Sequence, residues 1–322
     1  MRLTNSMMSK NYLKNLNSSL ENLNEANTRV TAQRKYMKIS EDPATALKAM
    51  KVRKNLSRIE VYKENLSDAQ AIFDQYESTI SNINDIATEA VSQVLQGTTG
   101  TSNETVRKTV ATTLRGYQET ILAAANTKYG DDYIFGGESV GNTPFKLNGT
   151  GELLYNGQNV NTGTFTDEYR FVDIGVGLTV GTDGEIVPKS AFNVSNSGST
   201  LLGTGVDTNG ITNNLYNLLG EIATKLENND IDDIQLYSDK LEAKADDIRL
   251  QYVSIGEKTN FISYFTERLD AERINATTKQ NELESMDIEE GIIIFGEQEL
   301  AYNACLQMGT KILQPSLIDF LR

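Results

Sequence analysis

Three pairs of adjacent carboxylates, Asp131-Asp132, Asp167-Glu168 and Glu289-Glu290, are the residues whose types could carry acid–base chemistry or hold a divalent ion. That chemistry needs the two carboxylates held in different environments inside a cleft, one protonated while the other is ionised. Nothing in their surroundings predicts a cleft, so they read as solvated surface and turn residues. Histidine is absent, which removes the commonest general base and metal ligand. The single cysteine, Cys305, has no internal disulfide partner, and beside Leu306 it reads as a packing residue. Gly136-Gly137 and Gly149-Thr-Gly151 lack the Lys-Ser or Lys-Thr of a phosphate-cradling loop and read as turns. The expectation is a non-enzymatic chain with no catalytic residue, no metal ligand and no cofactor.

The formal net charge of −14 argues against nucleic acid as a partner, because phosphate binding needs Lys and Arg gathered on one surface. The longest apolar run is Ile121 to Ala125, far short of the roughly 20 residues of a membrane-spanning helix. The opening MRLTNSMMSKNYLKN lacks the apolar stretch of a cleavable signal peptide. All seven Met lie in the first fifty or last thirty-seven residues, where flexible thioethers suit packing between subunits.

Long helices must position whatever function remains. Leu13, Leu16, Leu20, Leu23 and Val30 recur at alternating steps of three and four, a coiled-coil seam with Asn27 as its polar occupant. Near the other end, Tyr302, Leu306, Leu313, Leu317 and Phe320 share a face of another predicted helix. Burying one exposed Leu contributes roughly 1.5 to 3 kcal/mol, so each stripe needs a partner. Residues 1–40 carry a net +5 and residues 286–322 a net −4, which favours pairing the two. These ten apolar residues are the candidate assembly interface.

Asp42-Pro43 predicts a helix start, and from Ile59 to Val94 every seam position is apolar. A helix from Pro43 to Gln96 would be about 80 Å long. Gly97 to Asn103 breaks it, and Thr101 with Glu104 fits a capping box for the next helix, which presents Val110, Leu114, Tyr117, Ile121 and Ala124. Residues 131–210 then hold fifteen of the twenty-four glycines, with short strand-like segments at Tyr169 to Ile174 and Glu185 to Pro188. Helix returns near Ile211 and resumes from Ile234 to Leu269. Gly291, Gly296 and Pro315 are expected to weaken, kink or break the last helix. The fold class is mainly α with a β insertion: long antiparallel coiled-coil helices forming a rod, paired terminal helices, and a small central β-domain. The domains are 1–40 with 286–322 as a terminal helical assembly region, 41–130 with 211–285 as a helical rod, and 131–210 as an exposed β-rich domain.

Four passages carry a resemblance: Met1-Arg-Leu-Thr-Asn-Ser-Met-Met, Ile39-Ser-Glu-Asp-Pro-Ala-Thr-Ala, Asn126-Thr-Lys-Tyr-Gly-Asp-Asp-Tyr-Ile-Phe-Gly-Gly with Thr143-Pro-Phe, and Lys311-Ile-Leu-Gln-Pro-Ser-Leu-Ile-Asp-Phe-Leu. Together they resemble the bacterial flagellar hook-associated protein 3 family, the hook-filament junction proteins of the flagellin superfamily. The resemblance implies a structural axial subunit at the hook-filament junction, exported unfolded through the flagellar type III apparatus and therefore extracellular. It implies as partners further copies in a ring, hook-associated protein 1, flagellin, the export apparatus and an export chaperone. Flagellin, the bulk filament subunit, is the nearest alternative, and Tyr133 to Gly137 with Thr143 to Phe145 favours the junction family. An adhesin or enzyme on the β insertion is a third reading, with no residue constellation behind it.

Overall fold

The computed structural model describes residues 5–99, 102–149, 151–166, 168–182 and 184–319, with backbone alone at 5, 6, 189 and 311–319. The described residues form seven α-helices: α1 (Asn5–Ala32), α2 (Pro43–Thr98), α3 (Glu104–Ala125), α4 (Gly198–Leu202), α5 (Leu215–Glu227), α6 (Ile234–Glu284) and α7 (Ile288–Asp319). By compactness the chain forms two units, Met1–Ile59 with Asp270–Arg322, and Glu60–Leu269.

In the second unit the α2 seam is buried as its spacing predicts. Leu66, Ala69, Phe73, Tyr76, Ile80, Ile83, Ala87, Ala90 and Val94 are all within 1% of full burial, and only Tyr62 is half-buried. Helix α3 is capped by Asn103, whose side chain accepts the Val106 N–H at 2.9 Å; Thr101, the expected cap, lies outside the described residues. Helices α3 and α5 pack through Val110, Leu114 and Ile121 against Leu215, Leu219 and Ile222. Gln118 donates across that contact to the Tyr216 carbonyl at 2.7 Å. Helix α5 begins at Leu215, after the cap Asn214, and not at Ile211.

The insertion between α3 and α5 holds β1 (Lys128–Tyr129), β2 (Asp132–Tyr133), β3 (Phe145–Leu147), β4 (Leu153–Tyr155), β5 (Gln158–Asn159), β6 (Phe171–Val172) and β7 (Phe192–Asn193). They pair antiparallel as β1-β2, β3-β4-β5 and β6-β7. Of the predicted strand at 169–174 only Phe171–Val172 pairs, and the segment Glu185 to Pro188 contributes a single bridge, Val180 to Ile186. Such short strands cannot hold a domain by ladder bonds, and buried aromatics take that role. The Tyr76 hydroxyl donates toward the carbonyls of Ile134 (2.7 Å) and Val194 (3.3 Å), tying the insertion to α2. Phe73 packs on Phe192, and Tyr76 on Phe135.

In the first unit α1 and α7 pair. Helix α1 ends in a Schellman turn: Gln33 takes φ of 53°, its N–H reaches the Val30 carbonyl, and the Arg34 N–H reaches that of Arg29. The chain then docks on the α6–α7 junction through Lys35 N–H to Glu284 O (2.9 Å) and Met286 N–H to Gln33 O (3.0 Å). Asp42 caps α2 as expected, accepting the Thr45 N–H at 3.0 Å, and these bonds hold its carboxyl below the usual carboxylate range. Helix α7 runs without interruption through Gly291, Gly296, Gly309 and Pro315, so none of them ends it.

Candidate assembly surface

The motif residues with polar groups form a structural knot. Asn126, after the last turn of α3, clasps the backbone of Phe145 with its whole side-chain amide, Nδ2 to the carbonyl and Oδ1 from the N–H, both at 3.0 Å. The Thr143 hydroxyl donates to the Tyr133 hydroxyl at 2.9 Å. Gly137 has φ of 64°, and any Cβ there would occupy the place of the Glu168 carboxylate. The Glu168 carboxylate accepts from the Glu138 N–H (3.2 Å) and the Tyr155 hydroxyl (3.3 Å). Burial pushes the Tyr76 and Tyr155 phenols up to about 12, so both remain hydrogen-bond donors at neutral pH. These groups fasten loops to a helix.

The acidic pairs are accounted for in the same way. Asp132 faces Arg170 at 3.6 Å, Glu168 belongs to the knot, and Glu289 and Glu290 lie exposed in the first turn of α7; Asp167 is outside the described residues. Among the described residues no cluster of His, Cys, Asp and Glu could hold a metal ion, and no helix is long and apolar enough to cross a membrane.

The α1–α7 pair is a different kind of surface. The helices run antiparallel, with Tyr12 over Gly309 and Val30 over Gly291. The face of α1 toward α7 is Tyr12, Leu16, Ser19, Leu23, Ala26 and Val30; Ser19 and Ala26 are buried and the others half-buried. The facing residues of α7 are Gly291, Ile294, Gln298, Tyr302, Cys305 and Gly309. Leu16, Leu23, Val30 and Tyr302 thus lie on the facing sides of the two helices. Leu13, Leu20 and Asn27 are turned outward, Leu13 being 52% exposed and Leu20 38%. Reading them into one seam with Leu16 and Leu23 merged two neighbouring faces. Leu306 is 40% exposed; the side chains of Leu313 and Leu317, and the whole of Phe320, lie outside the described residues.

Sequence reasoning placed Gly309 on the α7 face but missed Ser19, Ala26 and Gly291, all of them buried. Their signal is small size at seam spacing, which an apolar pattern does not register. Nor does charge join the helices directly: among the described residues no ion pair links α1 to α7, and Arg29 instead binds Glu25 (2.6 Å) and Glu41 (3.1 Å). The junction beneath is held by Arg53 to Glu284 at 2.5 Å. This bond lowers the Glu284 pKa and raises that of Arg53.

Large apolar side chains also remain outside this shared face. Met7, Met8, Leu13 and Leu20 on α1 are exposed, as are Ile288, Ile292, Ile293, Leu300, Leu306 and Met308 on α7. So many large apolar residues exposed on one helix pair mark a candidate interaction surface.

Residues 3–139 match the family model for the bacterial flagellin N-terminal helical region. No curated protein matches the chain by sequence. Among solved structures it is similar to a Vibrio parahaemolyticus protein described as a flagellar hook-associated protein, with TM-score 0.63 and 14% identity over 76% of this chain and 100% of the other. It is also similar to FlgL of Bacillus cereus (TM-score 0.53, 19% identity, 72% and 99% covered). Flagellar hook-associated protein 3 of Legionella pneumophila is a third (TM-score 0.52, 14% identity, 72% and 98% covered). These likenesses are of fold.

Proposed function

We infer that this chain is a structural subunit of the bacterial flagellum, the hook-associated protein that joins the hook to the flagellin filament. The observation that carries this reading is the α1–α7 pair, on which large apolar side chains such as Leu13, Leu20, Ile293 and Leu300 stay exposed. Covering them needs other molecules, and each side chain fully buried contributes roughly 1.5 to 3 kcal/mol to the contact. The flagellin-type amino-terminal region supports the same class, and the fold likeness to hook-associated proteins favours a junction subunit over bulk flagellin.

On this reading the assembly interface comprises Leu13, Leu16, Leu20, Leu23 and Val30 with Tyr302, Leu306, Leu313, Leu317 and Phe320. The chain works without catalysis, outside the cell. Its neighbours are further copies of itself, hook-associated protein 1 and flagellin, and an export chaperone and the flagellar export apparatus handle it beforehand. Its organisation is that of a terminal assembly region (1–40, 286–322), a helical region (41–130, 211–285) and a β-rich domain (131–210).

Deleting the gene in its own bacterium tests this. The expected phenotype is hooks without filaments and flagellin shed into the medium. Normal filaments on deleted cells would overturn the reading.

A further inference from the structure

Two stripes in the first unit are exposed among the described residues, and their charges are opposite. From Pro43 to Ile59 five residues are Lys or Arg and none is Asp or Glu. On the exposed side of this first part of α2 stand Leu47 (59% exposed) and Met50 (53%), interleaved with exposed Lys48, Lys51 and Lys54. Arg53 is engaged with Glu284, whereas among the described residues the three lysines form no ion pair; Lys48 acts on Asp42 through space and Lys51 shares a groove with Glu272. From Asp287 to Thr310 the pattern inverts, with five Asp or Glu and no Lys or Arg. Ile293 (63% exposed) and Leu300 (71%) sit seven residues apart on the side of α7 away from α1, flanked by exposed Glu289, Glu290 and Glu297.

We propose that the basic α2 stripe of one copy of this chain seats the acidic α7 stripe of the next copy. Each stripe is a short apolar ridge bordered by one sign of charge, so lysines and glutamates would meet at the rim while Leu47 and Met50 cover Ile293 and Leu300. An acidic stripe on a chain of net charge −14 turns away anionic lipid and nucleic acid, which leaves the complementary stripe of a second copy as occupant. Two different patches meeting is a heterologous contact, which closes into a ring or continues as a helix. Helix α1 is a poorer seat for the acidic stripe, since its Lys10 and Lys14 are followed by Glu21 and Glu25. The proposal rests on the axial-subunit reading and names the surfaces that carry the contact between copies.

Charge reversal in a strain deleted for the chain tests it. One variant carries Lys48→Glu, Lys51→Glu and Lys54→Glu; a second carries Glu289→Lys, Glu290→Lys and Glu297→Lys; a third carries all six. Each three-site variant has like-charged stripes and is expected to reduce filament-bearing cells at least tenfold. The six-site chain restores opposite signs at every contact and is expected to recover filaments; co-expression of the two three-site variants restores them wherever the two alternate and is expected to recover filaments in part. Secreted amounts by immunoblot and helix content by circular dichroism register export and folding, and recovery by the six-site chain shows that the substitutions themselves are tolerated. The proposal is overturned if either three-site variant forms filaments as wild type does, or if neither combination recovers them. If the unaltered chain does not restore filaments that the deletion removed, or the deletion leaves them intact, the axial-subunit reading has failed instead.

Discussion

A matched pair of glycine substitutions on α7 measures what holds the α1–α7 pair together. Gly296→Ala adds a methyl group where no atom lies within 4 Å, so its effect is the helix propensity difference, a gain of about 1 kcal/mol. Gly309→Ala has the same propensity gain, but its Cβ would collide with the ring and hydroxyl of Tyr12. Overpacking of that kind costs about 1 to 3 kcal/mol, which leaves Gly309→Ala between neutral and about 2 kcal/mol destabilising. Amide hydrogen exchange along α7 reports the opening of the pair directly. Gly296→Ala is expected to slow exchange roughly fivefold, the factor that 1 kcal/mol represents, while Gly309→Ala leaves it unchanged or speeds it. Adding Tyr12→Ala to Gly309→Ala removes the collision, and the alanine then recovers its propensity gain. Equal protection by Gly296→Ala and Gly309→Ala would show that Tyr12 does not pack on Gly309, and the reasoning from small residues would fall.

Tyr76→Phe removes the hydroxyl that ties the Ile134 and Val194 carbonyls to α2; the expected cost is about 1 to 3 kcal/mol, read as a lower urea midpoint, and an unchanged midpoint would refute the anchor. In the wild type, Tyr76 and Tyr155 have folded pKa values raised to about 12, so their stabilising contribution is complete below the unfolded value near 10. It is lost as pH rises toward 12, and ultraviolet titration should show both phenols ionising only as the insertion unfolds. Glu221 has one carboxylate oxygen buried without a hydrogen-bond partner among the described residues, and burial raises its pKa. A raised acid opposes folding once ionised, so Glu221→Gln is expected to raise Tm at pH 8 and to lose that advantage below the carboxylate range. An equal shift at both pH values would refute the assignment.

The parts of the fold legible in the sequence are those where one residue type recurs at one period. The α2 seam is the clearest case, because a buried helix face accepts only apolar residues and every candidate position from Leu66 to Val94 is filled by one. The insertion was legible in composition but not in its strands. Segments of two or three residues have no period to read, and their places are fixed by distant contacts such as Tyr76 with Ile134 and Asn126 with Phe145. On α1, Leu13 and Leu20 have the type and nearly the spacing of Leu16 and Leu23, and only the position of α7 divides them between an inner and an outer face. Gly291 of α7 carried a misleading signal: its low helix propensity suggested a weakened helix, whereas Val30 of α1 packs closely on it. The junction motif was recognisable as a string, yet its role as a clasp depended on side-chain geometry that no spacing encodes.

Tyr12 and Gly309 face each other across the α1–α7 pair, yet nearly the whole chain is translated between them. At about 5 to 20 residues per second, α1 waits roughly 15 to 60 s at the ribosome before its partner helix exists. Throughout that interval its apolar face is open to any cellular factor that acts on nascent chains. The feature that closes the molecule last is the same one that leaves its leading end available first.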